Sequence, residues 1–123
     1  MKAFFLVFLG GGIGSGIRYL VALAMNQYSN FFPFGTFTVN MLGCLLIGLI
    51  LGYAQKENTL TSNQILLMTT GFCGGFTTFS AFADENLELL KSGDFFNFTI
   101  YILTSIFTAM ILIYTGYTIA GKI

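Results

Sequence analysis

The chain has no histidine and no tryptophan, one proline (Pro33) and two cysteines, Cys44 and Cys73. Charge is scarce too: five Lys and Arg face five Asp and Glu, 8% of the 123 residues, with no net charge. Each shortage removes a class of function. Without histidine there is no Ser-His-Asp constellation, and no pair of carboxylates has the buried setting that general acid–base chemistry needs. No phosphate loop or metal-ligand cluster is present, and the glycine runs lack the βαβ context of a nucleotide motif. No basic patch is available for nucleic acid. The cysteines each lie in an apolar stretch without metal-ligand spacing and read as small buried hydrophobes. The chain is not expected to be an enzyme.

What fills the chain instead is apolar: 55% of the residues are hydrophobic and fifteen are phenylalanine. A soluble domain this small buries too little of its surface to hide that much, so the composition is that of an integral membrane protein. Four stretches are long enough to cross a bilayer, at about 3–25, 34–53, 64–90 and 95–120. Polar loops over 26–33, 55–63 and 91–94 join them. The opening Met1-Lys2-Ala3-Phe4-Phe5 has the charge pattern of a signal peptide, but no small-residue cleavage site follows and the apolar run suits a span. We expect one all-α, multi-pass domain over 1–123, a four-helix bundle in lipid. The third span, about 27 residues, exceeds a straight crossing, and a break, a tilt or a protruding end would absorb the excess.

With an even number of spans, Lys2, Lys56 and Lys122 share one side of the membrane and Lys91 lies on the other. That is a weak bias under the positive-inside rule, and it leaves room for insertion in both orientations.

Some residues in the spans are costly in lipid. Arg18 follows Gly10-Gly11-Gly12-Ile13-Gly14-Ser15-Gly16-Ile17; it either faces an aqueous cavity or a partner, or snorkels to the interface. The glycines at 10, 12, 14 and 16 read as close helix packing. Asn40 offers two donors and an acceptor, for an interhelical hydrogen bond or for an anion. Tyr101, Thr104, Ser105 and Thr108 fall near one helix face, where hydroxyls can face an anion or bond their own helix carbonyls four residues back. Asp84, Glu85 and Glu88 read as a solvated helix end.

The most unusual stretch is Gly71-Phe72-Cys73-Gly74-Gly75-Phe76-Thr77-Thr78-Phe79-Ser80-Ala81-Phe82. Glycines and hydroxylated residues gathered in mid-span indicate a helix broken at Gly74-Gly75, with freed carbonyls that suit a hard cation such as Na+. Phe79 and Phe82, three apart, share a face. They are packing or lipid-facing residues, or a pair whose positive ring edges favour an anion.

Three motifs carry a resemblance: Gly10-Gly11 through Gly14 to Arg18-Tyr19; Gly35-Thr36 through Val39-Asn40 to Gly43; and Gly71 through Gly74-Gly75-Phe76-Thr77-Thr78-Phe79-Ser80-Ala81-Phe82. With these the chain resembles the Fluc, or CrcB, fluoride channels over all four spans. The resemblance implies a passive fluoride-selective channel in the bacterial inner membrane that lowers cytoplasmic fluoride toxicity. It implies a dual-topology, antiparallel homodimer with two pores along the subunit interface. Phe79, Phe82 and Asn40 would line the fluoride path, with Ser80, Tyr101 and Ser105, and Thr104 or Thr108 as further hydroxyls. Arg18 would sit near the vestibule. Gly74 and Thr77 would offer carbonyls to a structural Na+ at the dimer interface. Two departures stand out: Ala81 replaces a usual threonine, and Ala109 and Ile113 interrupt the hydroxyl track beyond Ser105. The rival reading is a proton-coupled small multidrug exporter, which needs an intramembrane carboxylate. A non-transporting assembly subunit is a third.

Overall fold

A computed structural model of the chain describes residues 1–25, 27–28, 32–56 and 59–123, and these form helices and turns with no strand among them. The first two helices are uninterrupted: α1 (Lys2–Met25) and α2 (Phe34–Ala54). The third span, Ser62–Lys91, is assembled from four pieces. These are α3 (Ser62–Leu66), a π-helical segment Leu67–Cys73, the single turn α4 (Gly74–Phe76), and α5 (Phe79–Lys91). The last helix is α6 (Phe95–Lys122). Among the described residues four helical spans are long and apolar enough to cross a membrane, the all-helical fold with a broken third span that the sequence predicts.

Local chemistry sets the ends. Thr61 and Gln64 form a reciprocal capping box at the start of α3, Gln64 N–H to Thr61 Oγ1 at 3.3 Å and Thr61 N–H to Gln64 Oε1 at 2.8 Å. Gly93, at φ +76°, ends the third span; this left-handed backbone lets Gly93 N–H reach Leu90 O at 3.1 Å and Asp94 N–H reach Leu89 O at 3.0 Å. Asp94 then caps α6, accepting from the Asn97 side chain at 2.7 Å and from its backbone N–H at 3.1 Å. Those two donors hold the Asp94 carboxyl below the usual aspartate range.

Two glycine seams organise the bundle. On the first, Gly10 and Gly14 of α1 lie against the backbone of the third span: a Cβ at Gly10 would come within 2.6 Å of the Leu67 carbonyl oxygen, and one at Gly14 would overlap that of Phe72. Gly75 answers from the other side, where a Cβ would overlap the Gly11 carbonyl. On the second, Gly48 and Gly52 of α2 abut the backbone of Ile113 and Tyr117, and Gly116 of α6 abuts Leu45 and Leu49. In lipid, where apolar burial drives little association, such close approach is a main source of helix–helix attraction. The chain is thus two tight pairs, α1 with the third span and α2 with α6. The expectation of packing glycines holds for Gly10 and Gly14, whereas Gly12 and Gly16 face open space.

Candidate functional site

The interruption lies three residues later than the glycines suggest. Gly74, Gly75 and Phe76 are helical, and it is Thr77 (φ −81°, ψ 157°) and Thr78 (φ −149°, ψ 123°) that are extended. Gly75 serves close packing against Gly11, Gly74 is exposed, and neither breaks the helix. The π segment before them and the extended pair after them flank this single α turn at mid-span.

Side chains take up part of the polar backbone that this break exposes, the kind of cover that backbone in a membrane requires. Asn40 on α2 braces Thr78 from both sides: Thr78 N–H donates to Asn40 Oδ1 at 2.7 Å, and Asn40 Nδ2 donates to Thr78 O at 3.1 Å. Thr78 Oγ1 accepts from Ala81 N–H at 3.3 Å and so caps α5. Arg18 Nε and Ser15 Oγ of α1 both donate to the Gly75 carbonyl, at 3.1 and 3.3 Å. Two of these commitments take the donors that α-helical geometry would give to Gly74 O and Thr77 O. The amide that would serve Gly74 O is that of Thr78, which goes to Asn40; the amide that would serve Thr77 O is that of Ala81, which goes to Thr78 Oγ1.

Beside the break lies a cavity of about 290 Å³ between the third span, α2 and α6. Asn40, Thr77, Thr78, Phe79, Phe82 and Ser105 line it, with Met41, Cys44 and Ala109 among the apolar remainder. The Phe79 and Phe82 rings stand 5.7 Å apart between centroids. Phe82 continues into Tyr101 at 5.0 Å, and Tyr101 into Phe32 at 5.2 Å. The Ser105 residue is only 8% exposed, and its Oγ, buried at the cavity, has no hydrogen-bond partner. A buried hydroxyl in that position has a donor to offer.

The other predicted hydroxyls differ. Thr104 Oγ1 donates to Ile100 O at 2.6 Å, the local back-bond that the sequence left as an alternative. Tyr101 OH is fully buried and donates to Glu85 at 2.8 Å. Ser80 is exposed, its Oγ 3.2 Å from Thr78 Oγ1, and neither it nor Thr108 lines the cavity. Arg18 is half-buried with its Nε on the break.

Glu85 requires a correction. It is not part of a solvated helix end: half-buried, it accepts from Thr36 Oγ1 at 2.5 Å and from Tyr101 OH at 2.8 Å. The carboxylate thus ties α5 to both α2 and α6, next to the Phe82–Tyr101 ring pair. Asp84 and Glu88 remain exposed. The signal in the sequence was the presence of Thr36 and Tyr101 on other spans, donors that a third-span acid could meet.

A family model described as "CrcB-like protein, Camphor Resistance (CrcB)" matches residues 5–117. The chain belongs to the CrcB-like family. The match runs from α1 into the last turns of α6 and takes in the whole break and cavity. Relatives carry the name "Fluoride-specific ion channel FluC". One from Flavobacterium psychrophilum is 44% identical, with both chains covered in full. One from Phocaeicola vulgatus is 46% identical over 94% of this chain and 96% of its own. One from Azobacteroides pseudotrichonymphae is 42% identical over 95% and 94%.

Proposed function

We infer that the chain is a fluoride-selective ion channel. The observation that carries an anion pathway is one cavity lined by Ser105, whose buried hydroxyl is unpartnered, by the Phe79–Phe82 pair and by Asn40. Full-length similarity to proteins named fluoride-specific channels supplies the ion. The chemistry is coherent. A small anion leaving water meets a hydroxyl donor, an amide whose second N–H is uncommitted, and the positive edges of aromatic rings. Each contact is weak, so the ion is held well enough to enter and loosely enough to leave. No step requires bond-making, and conduction rather than catalysis is the activity proposed.

Two further parts of the reading rest on the same site. Phe79 is 79% exposed in the single chain, which suits a residue completed by a second copy, and an antiparallel homodimer is proposed on that basis. The Gly74 and Thr77 carbonyls, both left without helical donors, are hard oxygen ligands of the kind Na+ takes. With the same pair from the antiparallel copy, they would hold a structural Na+ whose charge offsets the converging carbonyl dipoles. The setting proposed is the bacterial inner membrane, with fluoride leaving the cell passively. The exporter alternative has no support in the family match, and both oxygens of the half-buried Glu85 are engaged by hydroxyls.

The deciding measurement is anion efflux from liposomes holding the purified protein. Fluoride should pass and chloride should not; equal passage of chloride, or no fluoride flux, overturns the reading. Replacing Na+ by a large organic cation should lower the thermal midpoint of the purified protein if the carbonyl site is real.

A further inference from the structure

Gly75 is held by α1 at three points on one helix face. Gly11 lies against its Cα, and Ser15 and Arg18 both donate to its carbonyl, at positions i, i+4 and i+7. The Arg18 atom that makes the bond is Nε, at 3.1 Å, not a terminal guanidinium nitrogen. Along the chain Gly75 O lies between Gly74 O and Thr77 O, two carbonyls whose helical donors go elsewhere. Of the carbonyls around the break, Gly75 O is thus taken by α1 and Thr78 O by Asn40, while Gly74 O and Thr77 O stay available.

We propose that Arg18 is a positioning residue that acts through its Nε–H, and not as a vestibule charge. By fixing the Gly75 carbonyl to α1, it sets the direction in which the Gly74 and Thr77 carbonyls leave the chain. It also sets the start of the extended Thr77–Thr78 pair, from which α5 carries Phe79 and Phe82 to the cavity. The inference deepens the channel reading and rests on it.

Side-chain length makes the idea testable. Glutamine places its amide N–H the same number of bonds from Cα as arginine places Nε–H, so Arg18→Gln keeps the donor and removes the charge. Arg18→Lys keeps the charge and moves the donor one bond farther out. Arg18→Met keeps comparable bulk with neither. Fluoride efflux per folded dimer in liposomes is compared across the three variants, with the Na+-dependent shift in thermal midpoint as a second readout. Arg18→Gln is expected to stay within about threefold of wild type and to keep its Na+ shift. Arg18→Lys should fall below Arg18→Gln, and Arg18→Met should lose at least tenfold in flux together with its Na+ shift. The opposite order, Arg18→Lys above Arg18→Gln, would show that charge is what matters and would overturn the proposal. Equal flux in all three variants would overturn it as well. If Arg18→Met does not fold, the order of the other two still decides. Absence of fluoride flux in the wild type is a separate result and strikes the channel reading, not the role of Arg18. Wild-type flux with no Na+ shift removes the cation, and the flux order then decides alone.

Discussion

Asn40 and Thr78 exchange two hydrogen bonds across the interface between α2 and the third span, the amide oxygen accepting at 2.7 Å and the amide nitrogen donating at 3.1 Å. A side-chain amide here replaces the helical partners that an extended residue cannot have in lipid. It also binds the two glycine-seamed pairs to each other at mid-span.

Asn40→Asp tests that brace. A carboxylate can still accept from Thr78 N–H, but it turns a second acceptor toward Thr78 O. The expected cost is about 1–3 kcal/mol for the unmatched buried polar group, with fluoride flux lowered at least tenfold. Thermal unfolding in detergent and liposome efflux measure the two. Wild-type values for both would remove the brace from the mechanism.

Ser105→Ala should move stability and flux in opposite directions. Its hydroxyl has no partner, so removing it should leave the fold as stable, or stabilise it by up to about 1 kcal/mol, while flux falls. Thr104→Val is the control: its hydroxyl already bonds Ile100 O, and flux within about twofold of wild type is expected. Equal loss in the two variants would argue against a pathway role for Ser105.

The Glu85 knot is expected to be structural in the first instance. Glu85→Ala leaves the buried Thr36 and Tyr101 hydroxyls unpaired, at about 1–3 kcal/mol for each group. Glu85→Gln should be milder, because each hydroxyl can rotate to donate or accept. Unfolding midpoints of the two variants provide the comparison, and an alanine variant as stable as the glutamine variant contradicts the account.

Position along α1 should decide the effect of adding a methyl group. Gly14→Ala would drive a Cβ into the Phe72 carbonyl and is expected to destabilise by about 1–3 kcal/mol. Gly12→Ala and Gly16→Ala meet nothing within reach in the chain and should gain from helix propensity, by up to about 1 kcal/mol. In the proposed dimer these open positions also report on α1: a loss of dimer without loss of helix would place α1 at the interface.

Much of this site was legible because lipid restricts the choices. An asparagine, a glycine cluster and adjacent threonines in apolar spans must each have a partner or a cavity, and the spacing of Phe79 and Phe82 survives any register. The third span's internal geometry was not legible. Leu67-Met68-Thr69-Thr70-Gly71-Phe72-Cys73 holds nothing that distinguishes a π turn from an α turn, and of the glycines that looked like a breakage point Gly75 is a contact point with α1. Glu85 was misread for a different reason. An acid that follows an apolar run looks like the solvated end of a span, and only the hydrogen bonds from Thr36 and Tyr101 show that Glu85 is tied into the bundle.

The π segment gives the third span a tolerance that the regular helices do not share. A turn closed by i→i+5 bonds holds one residue more than an α turn, and an α-helix rotates by about 100° for each residue while advancing only about 1.5 Å. Deleting one residue between Leu67 and Cys73 lets the turn close to α geometry, and Gly75, Phe79 and Phe82 keep their faces. The same deletion in α1 between Gly11 and Ser15 finds no spare residue to give up. It would swing Ser15 and Arg18 more than a quarter of the way around the axis and away from Gly75. The segment is slack in the helical phase, held in the one span whose two halves must each meet a fixed neighbour.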